Sequence, residues 1–309
     1  MRALLMFSVA GFQLATPGQA AGQALPDSVT TITLDQPLTS WGRLGGVTVD
    51  RLGLIYVSNL HDSVWRITPD GEVTTLSTGM YGSSGNAIDS RGNLLQSNFF
   101  ANTIVRVGRD GDVTTVVNEG LSGPVGIAVD GQENIFVCNC TSNSIEKVSP
   151  DGTVQRFASG EWFSCPNGIT IDPTGNLYVV NFNTDDVIRL DPDGEASVLA
   201  TLPLGGNAHI VFARNNLYVS KITTNRVYRV TLTGDVSVVA GTGAVGLDDG
   251  VAIEATLARP NGIAASPGGD VLYVNNLVGE WRGQTRTILA LRRIKLMTLV
   301  LSGGGRGPL

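Results

Sequence analysis

Seven side chains hold most of the chemistry legible along this chain: Asn167, Asn181, Asn207, His209, Lys221, Asn261 and Asn276. Amides offer paired donors and acceptors to a neutral polar ligand. A lysine set among amides receives a carboxylate, a phosphate or another anion through charge-assisted hydrogen bonds. Histidine is the residue type that exchanges a proton near neutral pH. His61, the only other histidine, follows a hydrophobic run and reads as a solvated turn residue. No Ser-His-Asp order, phosphate loop or zinc-ligand cluster can be traced in the sequence.

These residues occupy fixed points in a phrase of about forty residues that recurs six times. Its fullest copy runs from Pro166-Asn167-Gly168-Ile169 to Leu177-Tyr178-Val179-Val180-Asn181. Aligned on the last position, the copies end in Asn59, Asn98, Asn139, Asn181, Lys221 and Asn276. Lys221 breaks an otherwise constant amide. Asn167, Asn207 and Asn261 align near the start of the phrase, where the first three copies carry Gly45, Ser84 and Val125. A site built on these positions is asymmetric, polar on one side, with its cation at Lys221. Two structural alternatives stay open. The repeated asparagines, Asn59, Asn98 and Asn139 above all, can bond nearby backbone in Asx-turns. The Lys221 stem can run along a channel and deliver its charge to solvent.

Each copy predicts four short strands. In the first copy the second, third and fourth are Leu54–Val57, Val64–Ile67 and Val73–Leu76. Asp70-Gly71, Asp110-Gly111, Asp151-Gly152 and Asp193-Gly194 join third to fourth strands, a strong hairpin signal because glycine readily takes positive φ. A repeat of this period without helical patterning predicts an all-β fold, a six-bladed β-propeller of four-stranded antiparallel blades over residues 41–301. Residues 21–40 form a lead-in and 302–309 a flexible tail. Val29–Leu34 and Met297–Leu301 compete to close the sixth blade, with Thr287–Ile294 as its third strand. Asp50, Asp89, Asp130 and Asp172, with Arg66, Arg106, Lys147, Arg189 and Arg229, recur too regularly for chemistry and read as scaffold.

The formal charge of −6 argues against a nucleic-acid surface. Arg282, Arg286, Arg292, Arg293 and Lys295 alternate with apolar residues and read as the solvent face of a late strand. Residues 1–20 have one arginine, a short apolar run and the small-residue spacing of Gly18-Gln19-Ala20, the pattern of a secretory signal peptide. The expected location is therefore extracytoplasmic, periplasmic or secreted. No stretch is long enough for a transmembrane helix. Cys140 and Cys165 fall on one rim of neighbouring blades, so a disulfide is expected there, in keeping with export. A monomer is expected.

The copies resemble the NHL repeat, whose blades read Pro-x-Gly-Ile-Ala-Val-Asp, a Gly-Asn turn, Tyr-Val-Ala-Asp and a later Pro-Asp-Gly hairpin. The stretch from Ala240-Gly241-Thr242-Gly243 through Asp248-Asp249-Gly250 to Pro260-Asn261-Gly262-Ile263 resembles the inter-blade loop of that family. The two Pro-Asn-Gly-Ile copies are also similar to the regucalcin/gluconolactonase superfamily. That likeness implies a divalent cation, Ca²⁺ or Mg²⁺, with Asn167 and Asn181 as its ligands here. The same likeness implies a glutamate within Trp41–Gly46, where this chain has no acid, and an aspartate where it has Asn181. Virginiamycin B lyase, another six-bladed propeller, implies a catalytic histidine that would align with Asn207 or Asn261, not with His209.

Two functions follow. The first is an exported propeller binding a small ligand, peptide or protein partner at the mouth of its channel, through Asn181, Asn207, Asn261 and Asn276, with Phe99-Phe100 and Trp162-Phe163 as an apolar wall. The alternative is a metal-dependent lactonase-like hydrolase or lyase assisted by His209 or Lys221. The missing carboxylates favour binding, because hard cations are held largely by anionic oxygens.

Overall fold

The computed structural model describes residues 26–41, 43–279 and 287–297. The proposed leader, Arg282, Arg286 and the stretch 298–309 lie outside the described residues. Six sheets stand around one axis, and no helix occurs among the described residues. The first five are four-stranded antiparallel blades, each strand pairing with the next in sequence. Their innermost strands are Val47–Val49, Ser83–Ile88, Pro124–Val129, Pro166–Ile171 and Asn207–Ala213, and that of blade six is Ile263–Ala265. Neighbouring inner strands touch all the way round, the sixth returning to the first.

Local chemistry explains the regularity. Gly71, Gly111, Gly152 and Gly194 take positive φ in the outer hairpins, as the Asp-Gly spacing predicts, and Gly234 does the same after Thr233 in blade five. The repeated aspartates staple the turn after each inner strand. Asp172 Oδ1 accepts from Thr174 N at 2.8 Å and Asn176 N at 3.0 Å, while Oδ2 accepts from the Tyr178 hydroxyl at 3.0 Å. Burial pushes the Asp172 carboxyl up, but those hydrogen bonds together outweigh it and hold the group below its ordinary range. Asp50, Asp89 and Asp130 make the same turn contacts. They are scaffold.

Between blades, second- and inner-strand side chains form six apolar clusters. Cross-strand pairs Val47–Val57, Ile127–Val137, Ile169–Val179, Ile210–Val219 and Ile263–Val274 recur in five blades. In blade two the same pair is Asn86–Gln96. Both are buried, and Asn86 Oδ1, Asn86 Nδ2 and Gln96 Oε1 have no hydrogen-bond partner. An unsatisfied buried polar group costs about 1–3 kcal/mol. The double variant Asn86→Ile/Gln96→Val is therefore expected to be more stable by about 2 kcal/mol in urea unfolding, and an unchanged midpoint would refute the accounting.

The ring is closed by the N-terminal lead-in. Ser28–Thr31 and Leu38–Ser40 both pair with the third strand of blade six, Thr287–Lys295. Asp35 and Gln36 then bond Val73 in blade one. Arg292, read from the sequence as solvent-facing, is instead fully buried and donates to Asp249 Oδ1 at 2.9 Å and to the Asp248 and Thr256 carbonyls. Asp249 in turn accepts from Thr31. The acidic pair of this loop therefore serves the closure. Arg293 and Lys295 do approach solvent, so among the described residues the alternation fails at Arg292, which is buried and donates to the Asp249 carboxylate and to two carbonyls.

Candidate functional site

Each inner strand of blades two to five carries the same irregularity at the mouth: three residues advance against two on its partner strand. Such a bulge bends a strand and re-aims one side chain. The residues placed there are Ser84, Val125, Asn167 and Ala208. Ser84, Val125 and Asn167, with Asn261 of blade six, line a cavity of about 290 Å³ at the mouth. Leu44, Leu60, Phe99, Phe100, Phe182 and Ile222 give it an apolar wall, and Arg43 and His209 complete its polar part. Small-molecule sites are commonly apolar concavities with a few placed polar groups.

Asn167 and Asn261 have a double position. Asn167 Nδ2 donates to Ala208 O at 2.5 Å, and Asn261 Nδ2 donates to Gly45 O at 2.9 Å, each tying its blade to the next. Ser58 and Ser97 make related bonds to the Ser84 and Val125 carbonyls at 2.7 and 2.5 Å. No protein group among the described residues donates to Asn167 Oδ1 or Asn261 Oδ1, so both remain as acceptors for a ligand.

The pairing register moves two residues from where the sequence alignment put them. Asn207 pairs with Lys221 as Pro166 pairs with Asn181, so Ala208 is the equivalent of Asn167. His209 then stands where the other blades have Gly46, Gly85, Gly126, Gly168 and Gly262. Those glycines are needed because the inner strands meet backbone to backbone at the axis. A Cβ on Gly85 would lie 2.2 Å from Val125 O, and one on Gly126 would lie 2.5 Å from Asn167 O. His209 is the one residue of this ring with a side chain, and its imidazole has no hydrogen-bond partner among the described residues.

Burial pulls the His209 pKa from 6.5 down to about 4, so the ring is neutral at physiological pH. As pH falls through 6.5 the unfolded chain takes up this proton first. Stability that is full above 6.5 is then lost down to about 4, by at most about 3 kcal/mol. In denaturant titrations the His209→Ala variant is expected to lose less stability than wild type across that window. Parallel pH profiles would show that channel water already solvates the imidazolium.

The remaining sequence candidates face the scaffold. Asn181 Oδ1 accepts from Ser164 N at 3.1 Å, and its Nδ2 donates to Trp162 O and Thr184 Oγ1. Asn276 Oδ1 accepts from Ala258 N at 2.9 Å. Both pin the loop that enters their own blade, the turn role that the repeated asparagines also allowed. Lys221 is fully buried rather than exposed to the mouth, with Nζ 2.6 Å from Asp185 Oδ1 and 2.9 Å from Asn207 Oδ1. None of Asn181, Asn207, Lys221 and Asn276 lines the cavity. Phe163 also turns into the core between blades three and four, leaving Phe99 and Phe100 as the expected apolar wall.

Sequence reading missed Arg43, the only lysine or arginine among the described residues that line the mouth. Its guanidinium lies 5.5 Å from the Phe100 ring centroid. It was passed over because that segment was read only for an acid, and a reversed charge there is itself a signal. Cys140 and Cys165 are joined by a disulfide on the rim of the cavity. Among the described residues the lining contains no aspartate or glutamate, and no group of three histidine, cysteine or acidic residues forms a metal cluster. With Asn181 Oδ1 engaged by backbone, Asn167 and Asn181 do not make a donor set that fits a resident Ca²⁺ or Mg²⁺.

Solved structures share this architecture. A gluconolactonase from Xanthomonas campestris is 17% identical, with a TM-score of 0.66 over 90% of this chain and 99% of that one. An auxiliary nutrient binding protein from Bacteroides ovatus is 16% identical, with a TM-score of 0.71 over 88% of this chain and 77% of the other. A catalytically inactive histidine-to-alanine variant of virginiamycin B lyase from Staphylococcus aureus, with quinupristin, is 18% identical, with a TM-score of 0.61 over 87% and 99%. The shared feature is the six-bladed propeller. At these identities the likeness is one of fold. No protein-family model and no curated sequence matches the chain.

Proposed function

We propose that this is an exported binding protein whose mouth takes a small ligand with an apolar body and an anionic end, such as a carboxylate. Arg43 carries the reading. Among the described residues it is the single cation in a lining without any acid, and it stands beside the aromatic wall of Phe99 and Phe100. The apolar body would rest on Phe99, Phe100, Phe182 and Ile222, and ligand donors would meet Asn167 Oδ1, Asn261 Oδ1 and the neutral imidazole of His209. Export is supported by the leader-like start and by the rim disulfide, a bond that persists in oxidising compartments. The NHL-type reading of the repeats belongs to this proposal and rests on the quoted motifs.

The lactonase-like or lyase alternative is not adopted. Among the described residues the mouth has no carboxylate to act as a general base or to orient His209, and the imidazole has no partner of the kind such catalysts use. Fold likeness alone does not carry an activity.

Titration calorimetry with a panel of aromatic and branched aliphatic carboxylates, each beside its primary amide, tests the proposal. Carboxylates are expected to bind, the amides to bind about tenfold or more weakly, and Arg43→Glu to lose that preference. Equal binding of acid and amide, or an unchanged preference in Arg43→Glu, would overturn the anionic reading. Silence across the whole panel would remove the small carboxylate as the ligand class.

A further inference from the structure

Blade five departs from the repeat at two directly paired positions. Where blades two, three and four pair Ser83–Asn98, Pro124–Asn139 and Pro166–Asn181, blade five pairs Asn207–Lys221. Both side chains are completely buried and neither lines the mouth cavity. Asp185, from the connection between the second and third strands of blade four, reaches across to the same point. Lys221 Nζ is 2.6 Å from Asp185 Oδ1 and 2.9 Å from Asn207 Oδ1. The other end of the Asn207 amide is fixed as well, because Nδ2 donates to Thr184 O at 2.9 Å. An amine and a carboxamide are thus held together out of water, with a partly exposed carboxylate against the amine.

We propose that Lys221 and Asn207 join in an intramolecular isopeptide bond, with Asp185 as the proton carrier. Lys221 first gives a proton to Asp185, which frees the nitrogen lone pair. The neutral amine attacks Asn207 Cγ, forming the new C–N bond and a tetrahedral centre. Asp185 returns its proton to Nδ2, the Cγ–Nδ2 bond breaks, and ammonia leaves. Ammonia takes up the remaining proton from the attacking nitrogen and departs as ammonium. Lysine ammonium and carboxamide have become a secondary amide and ammonium, with no oxidant, reductant or cofactor required.

Three physical circumstances favour the step. Holding the amine against the carboxamide, with Nζ 2.9 Å from Asn207 Oδ1, offsets much of the entropic barrier of a bimolecular reaction. Burial pulls the Lys221 ammonium below its ordinary range, opposed by the hydrogen bond and charge of Asp185, so the reactive free amine is more accessible than on a surface lysine. The product also removes the completely buried charge of Lys221, and the Asp185 carboxylate left behind is the partner that solvent reaches.

The intact mass of the folded wild-type chain, reduced and denatured for measurement, is expected to fall short of its sequence mass by one ammonia. A tryptic digest is expected to yield the segments containing Asn207 and Lys221 as one branched peptide, resistant to cleavage after Lys221 although Arg214 between them is cut. Lys221→Met and Asp185→Ala are expected to show full mass and linear peptides. Should either variant fail to fold, the branched peptide of the wild type decides alone. Linear wild-type peptides with an unmodified Lys221 and Asn207 would overturn the proposal. A deficit of one water with the branch on Asp185 would overturn it too, and a branched peptide persisting in Asp185→Ala would remove Asp185 as the proton carrier.

Discussion

Gly85→Ala is expected to lose about 3 kcal/mol or more of stability, while Gly131→Ala loses almost none. The two substitutions are chemically identical, and neither glycine has the positive φ that would strain an alanine. The difference lies in what the added methyl meets. At Gly85 it would lie 2.2 Å from Val125 O and 2.9 Å from Gly126 Cα, which are backbone atoms of the next blade. At Gly131 nothing lies within 4 Å. Backbone cannot change rotamer, so blades two and three must separate, and Ser97 then loses its bond to Val125 O. Urea unfolding of the two variants beside wild type measures this. A Gly85→Ala midpoint close to that of Gly131→Ala would mean that the ring is slack at the axis and that the inner strands do not set the channel width.

Removing the rim disulfide, by Cys140→Ser/Cys165→Ser or by reduction, is expected to cost about 3.5 kcal/mol, the loop-entropy value for a bond closing 25 residues. The bond joins blade three to blade four beside the mouth, so carboxylate affinity measured by calorimetry should fall along with stability. Cys138 will not complicate the comparison. It is fully buried, and burial pushes its thiol well above the ordinary range, which leaves little thiolate for exchange. Equal unfolding midpoints for oxidised and reduced protein would show that blade packing alone holds this rim.

The parts of this molecule that obey the repeat were legible, because repetition is itself a physical statement. Asp50, Asp89, Asp130 and Asp172 recur because each turn presents the same amides to be satisfied. The axial glycines recur because each pair of blades meets in the same way. What was not legible depends on contacts between copies. Lys221 was read as facing a channel, since nothing in its own blade predicts Asp185 arriving from the previous one. His209 was misplaced by one residue because blade five lacks the proline that marks the strand start in blades three, four and six. Arg292 alternates like a surface residue, and only the loop carrying Asp249 shows why it is buried. Arg43 lies before the first repeat, where the period has nothing to say.

The pairing of the N-terminal strand with the last strand has a consequence for how the protein is made. Ser28 pairs with Lys295, so 267 residues (295 − 28) separate the two halves of the closing ladder. Contacts this distant in sequence slow folding, because the entropy of closing the chain is lost before the contact rewards it. On the ribosome, Ser28–Thr31 emerges early and has no third-strand partner until the chain is almost finished. For most of synthesis the nascent protein is an open arc with unpaired strand edges, the surface most prone to pairing with another chain. Chaperone demand should therefore peak late, and shielding those edges until the last strand emerges matters more than helping any single blade to form.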